Sequence, residues 1–483
     1  MALCKRLIAR LDIKGNRLIK GIRFEGLRVL GDPCEAALRY YKEGADELIY
    51  IDAVASLYGR NGLDEGLRRT SREVFVPITA GGGVRSVADA AALLAAGADK
   101  IAVNTAALQR PELITELAEA FGSQCVVSSI QARRIGPGQW EAMAEAGRER
   151  SGRDVFDWIE QVQQLGAGEI LLTSVDQDGT CKGPDEQLVD SAARLARVSL
   201  VVGGGFAHTH QLVAALQHSE VSGVSLAAAL HYNRLEVYQL KYQLLTSAKQ
   251  PLIRHSPTVY ESEELRKLLC GLSIGVIDYG IGNQQSLINA LRYLGANVIL
   301  SDQPQEHNGQ DILALPGVGS FPMGMAELRR RGLDKFLKKW VSGGKPLVGI
   351  CLGMQMLFEE SHEYGITPGL ALLKGSVSAM SKYDTDGNSL ILPHIGWNSL
   401  LRGPGCNTKM PANQLIQYFV HSYCVTNVDP GSLLYTCEYG QNSFVAAVSQ
   451  DSVAGFQFHP ERSGKAGLEL LAIVCCELVR RVS

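Results

Sequence analysis

No stretch of the 483-residue chain approaches the roughly 18 uninterrupted apolar residues of a membrane-spanning helix. No long run of one charge sign exists either, and the formal net charge is -3. That balance argues against a nucleic-acid or membrane-surface role. The 11 cysteines are odd in number and never spaced CxxC. Neither structural zinc nor a disulfide framework is expected, and a reducing cytoplasm fits better. The opening MALCKRLIARLDIKG puts a charge inside every short apolar run, unlike a signal peptide. Motifs for a metal, nicotinamide or flavin are also missing, so no cofactor is expected. What remains is a soluble globular composition, 46% hydrophobic and 20% charged. Its length allows roughly two to four domains.

Apolar runs of strand length alternate with helical patterns through residues 1–245. LIARLD, ELIYID, VPITAG, KIAVNT, CVVSSI, EILLTS, LVVGGG and GVSLAA are the runs, with amphipathic stretches such as DVFDWIEQVQQLGA between them. Strand and helix alternating at this pace imply parallel βαβ units, and the length suits a (β/α)8 barrel. Self-similarity supports this. GADELIYID begins at Gly44 and GAGEILLTS at Gly166; GGGVRS begins at Gly81 and GGGFAH at Gly203; VNTAAL begins at Val103 and SLAAAL at Ser225. All three pairs share one spacing, which predicts two four-strand halves from one ancestral unit.

A duplicated fold predicts duplicated chemistry. Each half carries a triple-glycine loop after a strand and a small-residue loop further on. Gly82, Gly83, Asn104 and Thr105 in the first half, and Gly204, Gly205, Ala227 and Ala228 in the second, are candidates for phosphate cradles, with Gly179 beside them. Two such sites across the barrel mouth suit an elongated substrate with a phosphate at each end. Asp12 ends the first strand and is a candidate general acid/base. Its counterpart in the second half is Gln131, which exchanges no proton at neutral pH. Asp176 or Asp178, after the sixth strand, would supply the missing acid, and Lys20, in a polar loop, would reach an anionic substrate. At the opposite face Arg6, Glu47, Lys100 and Glu169 each immediately precede a strand. By spacing they read as a ring of salt bridges closing the barrel bottom.

Residues 246–271 break the rhythm with prolines and clustered charge, and read as a linker with room for a short helix. The expected division is a barrel over 1–248, a linker over 249–271 and a second α/β domain over 272–483. In KPLVGICLGMQMLFE an apolar strand runs into Cys351 and a helical pattern follows Gly353. This is a nucleophile elbow, in which the helix start favours a thiolate and can stabilise an oxyanion. Further on, GFQFHPE offers His459 to activate the thiol and Glu461 to orient the histidine.

At these residues the chain resembles the class I, triad-type glutamine amidotransferases. Residues 273–480 are most similar to the glutaminase of imidazole glycerol phosphate synthase, through IDYGIGN, LPGVGSF, GICLGMQ, PHIGWN, YFVHSY and FQFHPE. Residues 1–250 resemble the cyclase of that family, through GDP, GADEL, GGGVRS, ADKIAVNTAA, FGSQC and LGAGEILLTS. The resemblance implies that Cys351 attacks the glutamine carboxamide, forming a thioester and releasing ammonia. His459 shuttles protons and Glu461 orients it. Gln355, Glu363, Ser422 and Tyr423 would hold the glutamine, and the PGVG loop with Gly317 and Gly319 would shape the oxyanion site. Arg6, Glu47, Lys100 and Glu169 match the family's ammonia gate, so ammonia would cross the barrel to a bis-phosphorylated formimino ribonucleotide. The two domains would dock on each other at the barrel bottom. The resemblance also exposes departures: the family cyclase uses two aspartates where this chain has Asp12 and Gln131, and a serine is usual near Ala228. These motivate an alternative acceptor, such as a nucleotide-linked surface sugar, or a barrel serving only as a scaffold. Known fusions of this family resemble the opposite order, glutaminase first.

Overall fold

The computed structural model describes residues 3–55, 63–247, 252–254, 263–406 and 415–482. Eight parallel strands close on themselves in the first part: Arg6–Lys14, Glu47–Asp52, Ile78–Gly81, Lys100–Val103, Val126–Gly136, Glu169–Ser174, Ser199–Gly203 and Val221–Leu226. The first pairs with the eighth, and the fifth with the sixth, so no edge is left in the cylinder. Alternation along the strands sorts the interior into layers. Ile8, Ile49, Ala102, Val127, Leu171 and Val201 form one buried apolar cluster. Two residues earlier on four of those strands stand Arg6, Glu47, Lys100 and Glu169. Two residues later stand Arg10, Ile51, Asn104, Ser129 and Thr173, which line the cavities at the mouth.

The duplication extends beyond the motifs. A β-hairpin follows the first strand, at Arg17–Ile22 and Glu25–Gly31, and another follows the fifth, at Gln139–Ala144 and Glu149–Asp154. Gly82 and Gly204 share a left-handed backbone, with φ of 103° and 101°. One pairing of the repeat shifts. Asn104 has φ -137° and ψ -86°, and its geometric counterpart is Ala227, with φ -131° and ψ -82°. Thr105 therefore corresponds to Ala228, one position beyond the constant spacing. A β-bulge between the seventh and eighth strands, at Val221 and Gly223, absorbs the extra residue, Ser222.

Three local expectations need correction. The first strand does not stop at Asp12 but runs on to Lys14. Lys20 lies in a hairpin strand rather than a polar loop, and is 1% exposed. Arg6, Glu47, Lys100 and Glu169 are the first residues of their strands, not the residues before them. The linker reading over 249–271 falls partly outside the described residues. Within it, Ile253 bridges Lys5, and Leu265–Lys267 make a short 3-10 turn.

The second part is built on a nine-stranded sheet and a smaller four-stranded one. Five strands of the large sheet are parallel: Asn297–Ser301, Ser273–Ile277, Ile312–Leu315, Leu347–Ile350 and Val453–Phe456. Antiparallel strands extend it through Asn442–Gln450 and Leu433–Tyr439 to His394–Arg402 and Ile416–His421. Among the described residues, no helix is long and apolar enough to cross a membrane.

Candidate active sites

Strand Leu347–Ile350 ends at Cys351, whose backbone is forced to φ 53° before helix Leu352–Gln355 begins. A side chain in this conformation is strained, and tight packing maintains it. A Cβ on Gly353 would stand 1.9 Å from the Leu315 carbonyl, and one on Gly317 would stand 2.4 Å from the Gly353 nitrogen. Strand Val453–Phe456 lies beside the elbow, and the Cys351 N–H donates to the Phe456 carbonyl at 2.6 Å. The chain then delivers His459 and Glu461, whose Nδ1 and Oε1 are 2.7 Å apart. Burial works against a charged imidazole, but Glu461 and then Cys351 outweigh it, so the His459 pKa stands well above its usual value. Its Nε2 has no hydrogen-bond partner, leaving it available for a proton. The sequence reading passed over Gln457, whose Nε2 lies 3.7 Å from the Cys351 sulfur and whose Oε1 accepts from Gln355.

Gly319, Cys351, Gln355, Glu363, Ser422 and Tyr423 line one cavity. Gly317 packs behind it against the elbow. Glu363 accepts the Phe321 N–H at 2.7 Å, and burial pushes its carboxyl up to about 7. Two barrel residues, Gln124 and Cys125, complete the wall. They precede the fifth barrel strand, so the cavity opens against the barrel's N-terminal face.

That face is the docking surface. Arg462, next to Glu461, is buried and bonds the Asp99 carboxylate and the carbonyls of Val74 and Gly97. Asn283 donates to Ala98 and Asp99, and Asn289 to Ser71. Trp397 donates to the Asp46 carbonyl, with Arg254 3.8 Å above its ring. At its centre the four charged residues form a closed cycle. Arg6 reaches Glu47 at 2.7 Å and Glu169 at 2.5 Å, while Lys100 reaches Glu47 at 2.6 Å and Glu169 at 2.5 Å. Ser199 and Ser222 add bonds to Arg6. Buried charges survive because each is paired twice. The Tyr418 hydroxyl is buried without a partner, and burial, then the Glu47 carboxylate, push its pKa well above the usual value.

At the opposite end lie two cavities, one per barrel half. Gly82, Gly83, Asn104, Thr105 and Gln131 line the first, together with Arg85 and Glu145. Gly179, Gly204, Gly205, Ala227 and Ala228 line the second, together with Arg10 and Asp178. Asp12 and Lys20 belong to a buried network. Arg10 Nε is 2.9 Å from Asp12, and Lys20 Nζ is 2.8 Å from both Asp12 and Asp178. Burial opposes the Asp12 charge, but Arg10 and then Lys20 outweigh it and hold its carboxyl far below the usual range. Asp176 lines neither cavity; its carboxylate accepts the Arg134 N–H at 2.8 Å. Of the two aspartates offered for the missing acid, only Asp178 faces the mouth. Arg10 was not singled out from the sequence, where it is one basic residue in a short apolar run.

A strained cysteine elbow with a histidine–carboxylate pair, docked under a closed parallel barrel, defines a glutamine amidotransferase with a (β/α)8 synthase domain. Comparison with known proteins narrows this. The family described as "Histidine biosynthesis protein" matches residues 6–236, and "Glutamine amidotransferase class-I" matches residues 275–474. The imidazole glycerol phosphate synthase subunit HisF of Legionella pneumophila is 58% identical over 200 residues, covering 41% of this chain and 94% of that protein. The HisF subunit of Solibacter usitatus is 44% identical over 242 residues, covering 50% and 95%. That of Streptococcus sanguinis is 41% identical over 237 residues, covering 49% and 94%. The chain belongs to the imidazole glycerol phosphate synthase family, with the cyclase barrel first and the class I glutaminase second.

Proposed function

We propose that the chain hydrolyses glutamine at Cys351 and passes the ammonia through the barrel to a phosphorylated acceptor at its mouth. The observation that carries this is the shared cavity: Cys351 of the glutaminase and Gln124 and Cys125 of the barrel line the same space. Cys351 attacks the carboxamide carbon, and His459, oriented by Glu461, takes the thiol proton and gives it to the leaving ammonia. Water then hydrolyses the thioester to glutamate. Glu363 pairs with the substrate ammonium, and Gln355, Ser422 and Tyr423 border its carboxylate end. The Gly317–Gly319 loop supplies the oxyanion donors. Ammonia crosses the ring of Arg6, Glu47, Lys100 and Glu169 and then the apolar layer above it. In this reading residues 1–248 are the synthase barrel, 249–271 the linker and 272–483 the glutaminase.

The family reaction converts a bis-phosphorylated formimino aminoimidazole carboxamide ribonucleotide to imidazole glycerol phosphate and an aminoimidazole carboxamide ribonucleotide, with Asp12 as acid/base. Gln131 in place of a second carboxylate favours another reading, a different phosphorylated acceptor. Incubation with the formimino ribonucleotide and ammonium salt at mildly alkaline pH separates them. Formation of imidazole glycerol phosphate supports the family reaction and assigns the second proton to Asp178 or water. Loss of that turnover, in a protein that still hydrolyses glutamine, favours the other acceptor.

A further inference from the structure

Two histidines outside the triad are buried beside the glutaminase cavity. His394 opens strand His394–Arg402, and His421 closes strand Ile416–His421, opposite it in register. They are 0% and 2% exposed. His394 Nδ1 and His421 Nε2 lie 3.0 Å apart. One nitrogen of such a pair must donate and the other accept. A backbone carbonyl decides which. His421 Nδ1 is 2.8 Å from the Tyr423 carbonyl, which can only accept, so that nitrogen carries the proton. His421 Nε2 is then bare, and the His394 Nδ1–H donates to it. The far end agrees. Asn398 Nδ2 donates to the Glu438 carbonyl at 2.9 Å and lies 3.3 Å from His394 Nε2, which accepts. Burial pushes His421 down to about 4 and His394 well below its usual value, so both rings are neutral.

The same carbonyl connects to the cavity. Gln355 Nε2 donates to the Tyr423 carbonyl at 3.0 Å and to Gln457 Oε1 at 3.0 Å. Both amide hydrogens of Gln355 are thus spent. Its Oε1 is the polar end left for the cavity, which Gln355 lines together with Glu363. Gln457, accepting through Oε1, turns its Nε2 to the Cys351 sulfur. An inverted Gln355 amide would set oxygen against oxygen at both bonds. The donors therefore run one way, from Asn398 through two imidazoles to Tyr423. Packing alone asks for no such direction. The two rings stand among Phe419 and Phe444, with Tyr439 beside His394, where a phenyl ring would fill the same space.

We propose that His394 and His421 are positioning residues for glutamine binding: as neutral Nδ1–H tautomers they fix the Tyr423 carbonyl, which holds the Gln355 amide with its oxygen towards the substrate ammonium. His421 borders the cavity, but both its nitrogens are already bonded, so it acts through Tyr423. The proposal rests on the reading of this cavity as the glutamine site.

Two measurements on the full chain test it. Nitrogen NMR of isotope-labelled protein at neutral pH should show both histidines as neutral Nδ1–H tautomers, each assigned by the variant that removes it. Either ring as the Nε2–H tautomer or as the cation overturns the proposal. The KM for glutamine then separates positioning from packing. His421→Asn keeps a side-chain N–H for the Tyr423 carbonyl but suits the aromatic surroundings poorly, and His421→Phe does the reverse. Loss of a buried hydrogen bond should raise KM on the order of tenfold in His421→Phe, with His421→Asn nearer the unaltered chain. KM is read on the folded fraction, so lost stability does not imitate this order. An unchanged KM in His421→Phe, or a higher one in His421→Asn, overturns the proposal. Should His421→Phe not fold, His394→Phe against His394→Asn makes the same comparison one bond further out. If glutamine neither binds nor turns over in the unaltered chain, the glutamine-site reading itself falls, whatever the tautomers.

Discussion

Cys351 holds a backbone conformation that its own side chain disfavours, and 6% of its surface reaches solvent. Such strain persists where a nucleophile must be presented at a fixed angle. Cys351→Ala is expected to abolish glutamate release while sparing any turnover supported by ammonium salt; assaying both nitrogen sources in one preparation checks it. Glu363 carries a pH dependence. Its carboxyl, raised to about 7 by burial, is neutral below that pH and ionised above it. On the proposed glutamine-binding role of Glu363, only the ionised form would pair with the substrate ammonium. The KM for glutamine should therefore fall as pH rises through 7, and Glu363→Gln should raise KM and flatten the profile. A KM equally pH-dependent in the variant would assign the titration elsewhere.

At the scale of elements, the elbow depends on three segments packed without side chains between them. A Cβ at Gly349 would lie 2.7 Å from the Gly353 carbonyl, and one at Gly353 closer still to Leu315. Gly353→Ala must push helix Leu352–Gln355 away from strand Ile312–Leu315. Overpacking of this kind costs about 1–3 kcal/mol. Calorimetry should show the loss, and kcat for glutamine hydrolysis should fall more than ammonium-dependent turnover, because the barrel is untouched. The eighth barrel strand shows a different economy: the bulge at Ser222 adds one residue without disturbing the loop that follows, and the added hydroxyl joins the Arg6 network.

For the whole molecule, the decisive feature is that the barrel's two ends differ in what they carry. The N-terminal face docks the glutaminase and carries the four-charge ring, while the C-terminal face carries the two mouth cavities. The barrel's last helix, Val237–Thr246, returns the chain to the docked end, where Arg254 meets Trp397. A cyclase-first fusion is therefore sterically direct. Lys100→Met removes one cation of the ring at similar volume and leaves Arg6 as the ring's one cation for Glu47 and Glu169. Loss of one partner from a buried pair costs about 3–5 kcal/mol. Denaturant unfolding reads that loss, and the ratio of glutamate released to acceptor aminated should rise if the ring governs ammonia passage. An unchanged ratio alongside the stability loss would leave the ring a purely structural closure.

By itself the sequence determined what short spacings encode. Eight apolar runs with helical intervals specify the parallel barrel, because strand and helix periodicities are local. Gly82 and Gly204 were legible because only glycine tolerates that φ so close to neighbouring backbone. Cys351, His459 and Glu461 were legible because an elbow and an HPE turn are each continuous in the chain. Tertiary structure decided whatever depends on register between distant strands. It chose Asp178 over Asp176 for the mouth and buried Lys20 between Asp12 and Asp178. It brought Gln124 and Cys125 into the glutaminase wall. It also placed Arg10 in the wall of the second cavity, since an inward or outward side chain changes with every residue, and only closure of the cylinder says what each inward one will meet.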